Sequence, residues 1–255
     1  MTIALLGGTG LLGRAVSTIL AGEGIEHRVV GRSARGHTGV VADFATGSGI
    51  DAAISGCDTV VLLASNPSRT KQVDIGGTDK LLPLLDGKHL IYMSIVGVDR
   101  HPFPYYQAKH EVEEMIRSSG VGYSILRATQ FHDFLAFLFS KMTKSPVAVA
   151  PRGFVFQPVE TSEVAAHLVD VARTGPSGSL PDLGGPEILG IEHLARSYME
   201  ATGKERPLLK VPIPGQAARA FRQGVHTNPD RAVGRRTWAE YLERHRSTTW
   251  SSDNR

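Results

Sequence analysis

The chain of 255 residues is 41% hydrophobic and 21% charged, enough for a full core and ordinary for a globular protein. Its single cysteine, Cys57, excludes an intramolecular disulfide and suits a reducing compartment. No apolar run has bilayer length and no basic segment leads an apolar start, so no membrane partner and a cytoplasmic location are expected. The net charge of +3 is uneven: from Lys204 onward eleven Lys/Arg stand against five Asp/Glu, whereas the first 203 residues carry a net −3. Those late arginines, Arg219 and Arg222 among them, are scattered and not interleaved with aromatics. They predict a solvated helical face and no nucleic-acid partner.

In chain order, short Val/Ile/Leu-rich runs at 3–7, 27–31, 39–43, 59–64, 89–94 and 123–128 read as buried strands. Helical patterns lie between them near 11–22, 48–55, 68–86 and 105–119. Alternation at this spacing predicts an α/β fold with right-handed crossovers and a doubly wound parallel sheet of Rossmann type. Segment 145–160 reads as short strands or a hairpin, and 161–174 as a helix capped by Thr161 or Ser162. Segment 175–188 reads as a loop, a short strand and a turn, with helices at 191–202 and 214–223 after it. The expected organisation is a dinucleotide-binding core over 1–135 with 155–185 returning to it. A small substrate lobe is expected from 136–154 and 186–240, followed by a frayed polar tail at 241–255.

The stretch "IALLGGTGLLGRAV" follows a strand and opens a helix. Gly8, Gly10 and Gly13 satisfy G-x-G-x-x-G, and Gly7 adds G-x-x-G-x-x-G. Glycine permits the tight turn and a close backbone approach to a pyrophosphate, which meets free N–H groups at the helix start. The loop Gly7, Gly8, Thr9, Gly10, Leu11, Leu12 and Gly13 is therefore expected to hold a dinucleotide. An acidic residue at the end of the second strand would select NAD(H) through the ribose hydroxyls. Gly31 and Arg32 stand there instead. Arg32, with Ser33 and Arg35, suits a 2′-phosphate, which favours NADP(H) over NAD(H); the bland alternative is a solvent-facing loop arginine. Asp43 and Phe44 are expected to border the adenine, although Asp43 is equally a turn residue. Ala64 and Ser65 end the fourth strand, where sheet topology puts the middle of the cofactor.

Tyr105 and Lys109 are four apart at the start of a predicted helix and so share one face. Carbonyl–alcohol redox chemistry with a nicotinamide needs a proton donor at oxygen, and a neighbouring cation tunes a tyrosine for that task. A lysine one turn along also reaches the nicotinamide ribose, and a strand-end hydroxyl, Ser94, is expected to bond the substrate oxygen. The alternatives are a packed Tyr with a solvated Lys, or Tyr106 as the working phenol.

With "GGTGLLG", the Y-x-x-x-K of Tyr105 to Lys109 and "LRATQFHDF" (126–134), the chain resembles the short-chain dehydrogenase/reductase superfamily. Its atypical, NmrA-like branch of NAD(P)H-binding proteins is the nearest likeness. The resemblance is strong over 1–135 and extends through "FQPVETSEVA" (156–165) and "LGGPEILGIEHLARSYMEATG" (183–203). It implies a Rossmann fold, a substrate cleft under the C-terminal lobe and catalytic roles for Tyr105, Lys109 and Ser94. It also places Thr129 beside the nicotinamide and Gln130 and Phe131 beside a small-molecule substrate. Many atypical members lack the Tyr–Lys pair and act as redox-responsive binding proteins; this chain keeps it. The function expected is an NADPH-dependent oxidoreductase acting on a small, apolar carbonyl or enone. The alternatives are a non-catalytic NADP(H) sensor and a nucleotide-sugar epimerase-like enzyme, the latter disfavoured by chain length.

The ten histidines show no H-x-x-x-H or H-E-x-x-H spacing, so no metal site is expected. His132 is expected to be structural or to touch substrate. The aromatics of 131–142 are expected to line a pocket or fill a core, and Cys57 to be a small buried residue.

Overall fold

The protein is described here by a computed structural model, which covers residues 1–245. The six apolar runs form β1 (Ile3–Leu6), β2 (His27–Gly31), β3 (Gly39–Val41), β4 (Thr59–Leu62), β5 (His89–Ile95) and β6 (Gly122–Ala128). Every residue of β1 and β4 is buried, because helices cover both faces of the sheet. Together with β9 (Gly178–Ser179) these strands make one parallel sheet in the order β3-β2-β1-β4-β5-β6-β9. This is the doubly wound arrangement expected. The order reverses between β1 and β4, and there the segments leaving the carboxyl ends of the two paired strands diverge to opposite faces of the sheet and leave a crevice.

Helices α1 (Leu11–Gly22) and α6 (Thr161–Thr174) cover one face, burying Val16, Leu20, Val164 and Leu168 against Leu5, Ile91 and Leu126. Helices α2 (Ile50–Ile54), α3 (Gly76–Leu81) and α4 (Pro104–Ser118) cover the other, where Ile54, Leu81, Val112 and Ile116 meet Leu6, Val60, Leu62 and Tyr92. Cys57 sits in this second core, as a small buried residue. The lobe comprises α5 (His132–Met142), α7 (Ile191–Thr202), α8 (Gln216–Gln223) and α9 (Trp238–Arg244), packed around Phe139, Leu194, Tyr198, Trp238 and Tyr241.

The structure departs from the sequence expectations at four places. The single helix expected over 68–86 is a π-helical turn (Lys71–Ile75), then α3, then a 3₁₀ turn (Leu82–Leu84) entered through Pro83. The hairpin considered within 145–160 does not form. β7 (Ala148–Pro151) pairs in parallel with β11 (Leu208–Val211), and β8 (Val155–Phe156) pairs antiparallel with β10 (Leu189–Gly190). Phe154, between them, turns inward to stack on Phe221 with centroids 5.0 Å apart, which separates the two strands. The N-cap position of α6 is Glu160 rather than Thr161 or Ser162, with no side-chain cap; the Thr161 hydroxyl, inside the first turn, donates to Asp133 at 2.6 Å. The expected frayed tail starts too early: Tyr241 and Leu242 are buried on α9, and the part beyond 245 lies outside the described residues. No helix among the described residues is long and apolar enough to cross a membrane.

Candidate functional site

β1 ends directly at Gly7, whose φ of +87° is open only to glycine, and a Cβ there would fall 2.6 Å from the Ala64 nitrogen. The missing side chain lets the ends of β1 and β4 approach one another. At Gly13 a Cβ would stand 2.5 Å from Gly8 Cα and 2.6 Å from the Gly7 oxygen, so helix and loop touch through backbone alone. Helix α1 begins after Gly10, which supplies no side-chain cap. The first amides of the helix, at Leu11 and Leu12, are thus left to an external acceptor. That uncapped, glycine-lined helix start fits a dinucleotide pyrophosphate. Gly13→Ala forces backbone on backbone; it should lower stability by about 1–3 kcal/mol and weaken dinucleotide binding, read by thermal melts and cofactor titration.

A cleft of about 350 Å³ opens above the loop. Gly7, Thr9 and Gly10 form its floor, Arg32 and Ser33 one lip, Asp43 and Phe44 a wall, and Ala64 and Ser65 the opposite rim. Gly8 and Ser33 also border an adjoining hollow with Arg14 and Arg35, and Arg14 donates to the Thr9 oxygen at 2.6 Å. Three guanidinium groups therefore surround the end of β2. Asp43 accepts from the Ala45 amide at 2.9 Å, so it closes its own turn while facing the cleft. Phe44 presses on Gly77, where a Cβ would come within 2.4 Å of the ring. Asn66 and Arg69, on the same rim as Ser65, were not legible as cleft residues in the sequence.

Pro104 starts α4 at its first turn, where its missing N–H is harmless, and sets Tyr105 and Lys109 on the face toward β4 and β5. The Tyr105 hydroxyl lies 2.9 Å from Ser65 Oγ, which donates to Asp74 Oδ1 at 2.5 Å. Lys109, 4% exposed, donates to the Met93 carbonyl at 3.0 Å and sits 3.9 Å from Asp74 Oδ1. Its ammonium lies 4.8 Å from the centre of the Tyr92 ring. Burial works against the charge on Lys109, but Tyr92, Tyr105 and Asp74 outweigh it and hold the ammonium above its ordinary pKa. Burial pushes the Tyr92 phenol well up. The sequence reading pairs Tyr105 with Lys109 but joins Ser94 to them, expects Ser65 only beside the middle of the cofactor, and misses Asp74, which the π-helical turn delivers. The polar run RTKQVDIGGTDK around it gives no signal that would single out this carboxylate.

Ser94 does not join them. It lies on the strand face of Tyr92 and donates to Glu113 Oε1 at 2.5 Å, beneath α4. The role expected for it, bonding a substrate oxygen, is corrected: a serine 2% exposed and committed to a buried carboxylate is a structural group. Tyr106, the other candidate phenol, is buried and stacks on His101 with centroids 4.4 Å apart. Burial drives its phenol up and drives His101 down, and it takes the buried His226 down to about 4.

The stretch expected at the nicotinamide serves the seam between core and lobe. Thr129 Oγ1 accepts from the Gly185 amide at 3.1 Å. Gln130 donates to the His226 carbonyl at 3.3 Å, and Phe131 packs against the core cluster. Their polar atoms are thereby engaged within the protein. His132 is fully buried and stacks on Tyr241 with centroids 4.8 Å apart, the structural alternative. Beside it, burial raises the Glu160 carboxyl, but His132 and Arg236 outweigh this and hold it down at about 2. Arg222 donates to the Ile213 carbonyl at the surface of the lobe.

The sequence model of a family described as NAD(P)H-binding matches residues 7–174. Comparison with curated protein sequences finds no match. Among solved structures, a nucleoside-diphosphate-sugar epimerase from Staphylococcus aureus is similar at 18% identity and TM-score 0.76, covering 95% of this chain and 100% of that one. A UDP-glucose 4-epimerase from Thermotoga maritima aligns at 19% identity and TM-score 0.73 over 97% and 99% of the two chains. An NADPH-dependent quinone oxidoreductase from Escherichia coli, complexed with NADPH, aligns at 17% identity and TM-score 0.73 over 95% and 99%. These likenesses are of fold. They also remove chain length as an argument against the nucleotide-sugar class, because this chain spans the whole length of both epimerases.

Proposed function

We propose that this chain, which belongs to the NAD(P)H-binding family of atypical short-chain dehydrogenase/reductase type, is an NADPH-dependent oxidoreductase acting on a small, apolar carbonyl or enone. The observation that carries the reading is the Tyr105 hydroxyl bonded to Ser65, itself on the rim of the glycine-loop cleft, and backed by the buried Lys109. NADPH bound there supplies the hydride. The loop from Gly7 to Gly13 holds the pyrophosphate, and Arg32 with Ser33, and with Arg35 and Arg14 close by, holds the 2′-phosphate. Phe44 walls the adenine side. Tyr105 delivers the proton to the substrate oxygen, and Lys109 places a buried ammonium behind it and would orient the nicotinamide ribose. Phe103, exposed at the N-cap of α4 two residues before Tyr105, offers apolar surface to an uncharged substrate.

NADPH should be consumed when the protein meets a panel of quinones, enones and simple ketones. Tight NADPH binding with no turnover across the panel would replace this reading by the NADP(H)-sensor reading. Turnover of a UDP-sugar with NAD would replace it by the epimerase reading. Cofactor choice has an independent measurement. At about 100 times its dissociation constant a native-state ligand stabilises by about 2.7 kcal/mol. NADPH should therefore raise the melting temperature well above NADH at equal concentration, and Arg32→Ala should narrow that gap. Equal shifts in the wild type would refute the phosphate role of Arg32.

A further inference from the structure

Among the described residues, Asp74 is the carboxylate at the Tyr105–Lys109 corner, and it is 2% exposed. It accepts from Ser65 Oγ at 2.5 Å and from the Asn66 amide at 3.1 Å, and it lies 3.9 Å from Lys109. Both partners are donors, so the site needs an acceptor at each oxygen: an asparagine would satisfy one and turn its NH2 on the other, whereas the carboxylate accepts both and brings a negative charge beside Lys109.

The proton positions follow from the bonds. A serine hydroxyl carries one hydrogen, and Ser65 gives it to Asp74. Toward Tyr105, at 2.9 Å, Ser65 can then only accept, so the phenol donates. The chain runs Tyr105 O–H to Ser65 O–H to Asp74 carboxylate, and each bond strengthens the next. Such a chain favours a phenol that keeps its proton. Lys109 works in the opposite sense, since a bare ammonium favours the phenolate. Asp74 touches both: it orders the hydrogen-bond chain and offsets the Lys109 charge.

We propose that Asp74 is a positioning residue that, through Ser65 and Lys109, keeps Tyr105 as the neutral, proton-donating phenol. The proposal deepens the oxidoreductase reading, on which it rests for its consequence in turnover. A neutral phenol is the form that protonates a carbonyl oxygen during reduction; alcohol oxidation needs the phenolate. The other ionisable groups facing this corner are Tyr92 from β5, Tyr106 and Lys109 from α4, and Arg69 from the loop after β4. Among the described residues, Asp74 alone is a carboxylate linked to the phenol by hydrogen bonds.

The test needs no substrate. The chain has six tyrosines, so labelling tyrosine Cζ with ¹³C gives a simple spectrum in which Tyr105→Phe identifies the Tyr105 signal. A unit charge at about 5 Å and an effective dielectric constant of about 20 moves a neighbouring ionisation by about two pH units. The Tyr105 midpoint should accordingly fall by about one to two pH units in Asp74→Asn, and by less in Ser65→Ala. A midpoint that stays within about 0.3 units in both variants, that rises, or that lies beyond the titration range in all three proteins overturns the proposal. If Asp74→Asn does not fold, Ser65→Ala decides: a fall sustains the proposal and an unchanged midpoint ends it. Because the titration is made without cofactor or substrate, its failure is distinct from a failure to find turnover, which bears on the oxidoreductase reading alone.

Discussion

Tyr105→Phe should reduce NADPH-dependent carbonyl reduction by about 10²–10⁴-fold while leaving NADPH affinity and melting temperature nearly unchanged. The phenol is half-buried and its one hydrogen bond goes to Ser65 on the cleft rim, so removing it disturbs no packed element. Phenylalanine keeps the ring and its edge contact with Tyr106, at 6.4 Å between centroids. What disappears is the proton donor. Tyr106→Phe makes the control. Its phenol is buried beside Gln130 and His101, so its loss should appear as about 1 kcal/mol of stability, with turnover largely retained. Parallel melts and steady-state assays on the two variants read both effects. If Tyr106→Phe loses turnover and Tyr105→Phe keeps it, the wrong phenol has been assigned.

Much of this site was legible because its information is local in the chain. The glycine loop is a strand, a turn and a helix start within a dozen residues, and every steric requirement in it involves near neighbours or the adjacent strand. The Tyr105–Lys109 pair is an i, i+4 spacing on a helix whose start Pro104 marks. The strands were legible because burial on both faces leaves unbroken apolar runs. What was not legible depends on distant partners. Asp74 joins Lys109 across 35 positions, and it does so only because a π-helical turn rotates it under Ser65. The β7–β11 pairing spans about sixty residues, so nothing near 148–151 announces its partner. Ser94 is a different case, because the alternation of a strand puts it on the face of Leu90 and Tyr92, toward α4. Applied to β5, that rule already points Ser94 away from Met93 and toward Glu113.

Glu113→Ala should cost about 3 kcal/mol, because Glu113 is where α4 is fastened to the sheet. The carboxylate is fully buried and receives four bonds: Ser94 at 2.5 Å, Arg127 Nε at 2.9 Å, Arg127 Nη2 at 2.6 Å and Arg117 at 2.8 Å. Arg127 grips it with both arms of its fork, the geometry in which such pairs are strongest. Removing the anion leaves Ser94 buried without its acceptor and Arg127 without its counter-charge on that side, although Arg127 keeps 20% exposure and its contact with Asp99 at 3.0 Å. That residual solvation sets the expected value at the low end of the range for broken buried pairs. Burial raises the Glu113 carboxyl, but Arg127, Ser94 and Arg117 outweigh it and hold the pKa below the ordinary carboxylate range. A depressed folded-state pKa contributes stability that is present above the unfolded value, near 4.3, and is lost as the pH falls through the folded one. Denaturant melts should therefore show a wide gap between wild type and Glu113→Ala at pH 7 that closes below about pH 4. Because Glu113 stands one turn beyond Lys109 on the same helix, the variant should also lose turnover at pH 7 in proportion to the loosening of α4, with Glu113→Gln falling between the two by keeping the Ser94 bond. A gap independent of pH would mean that the carboxylate holds the helix by packing rather than by its charge.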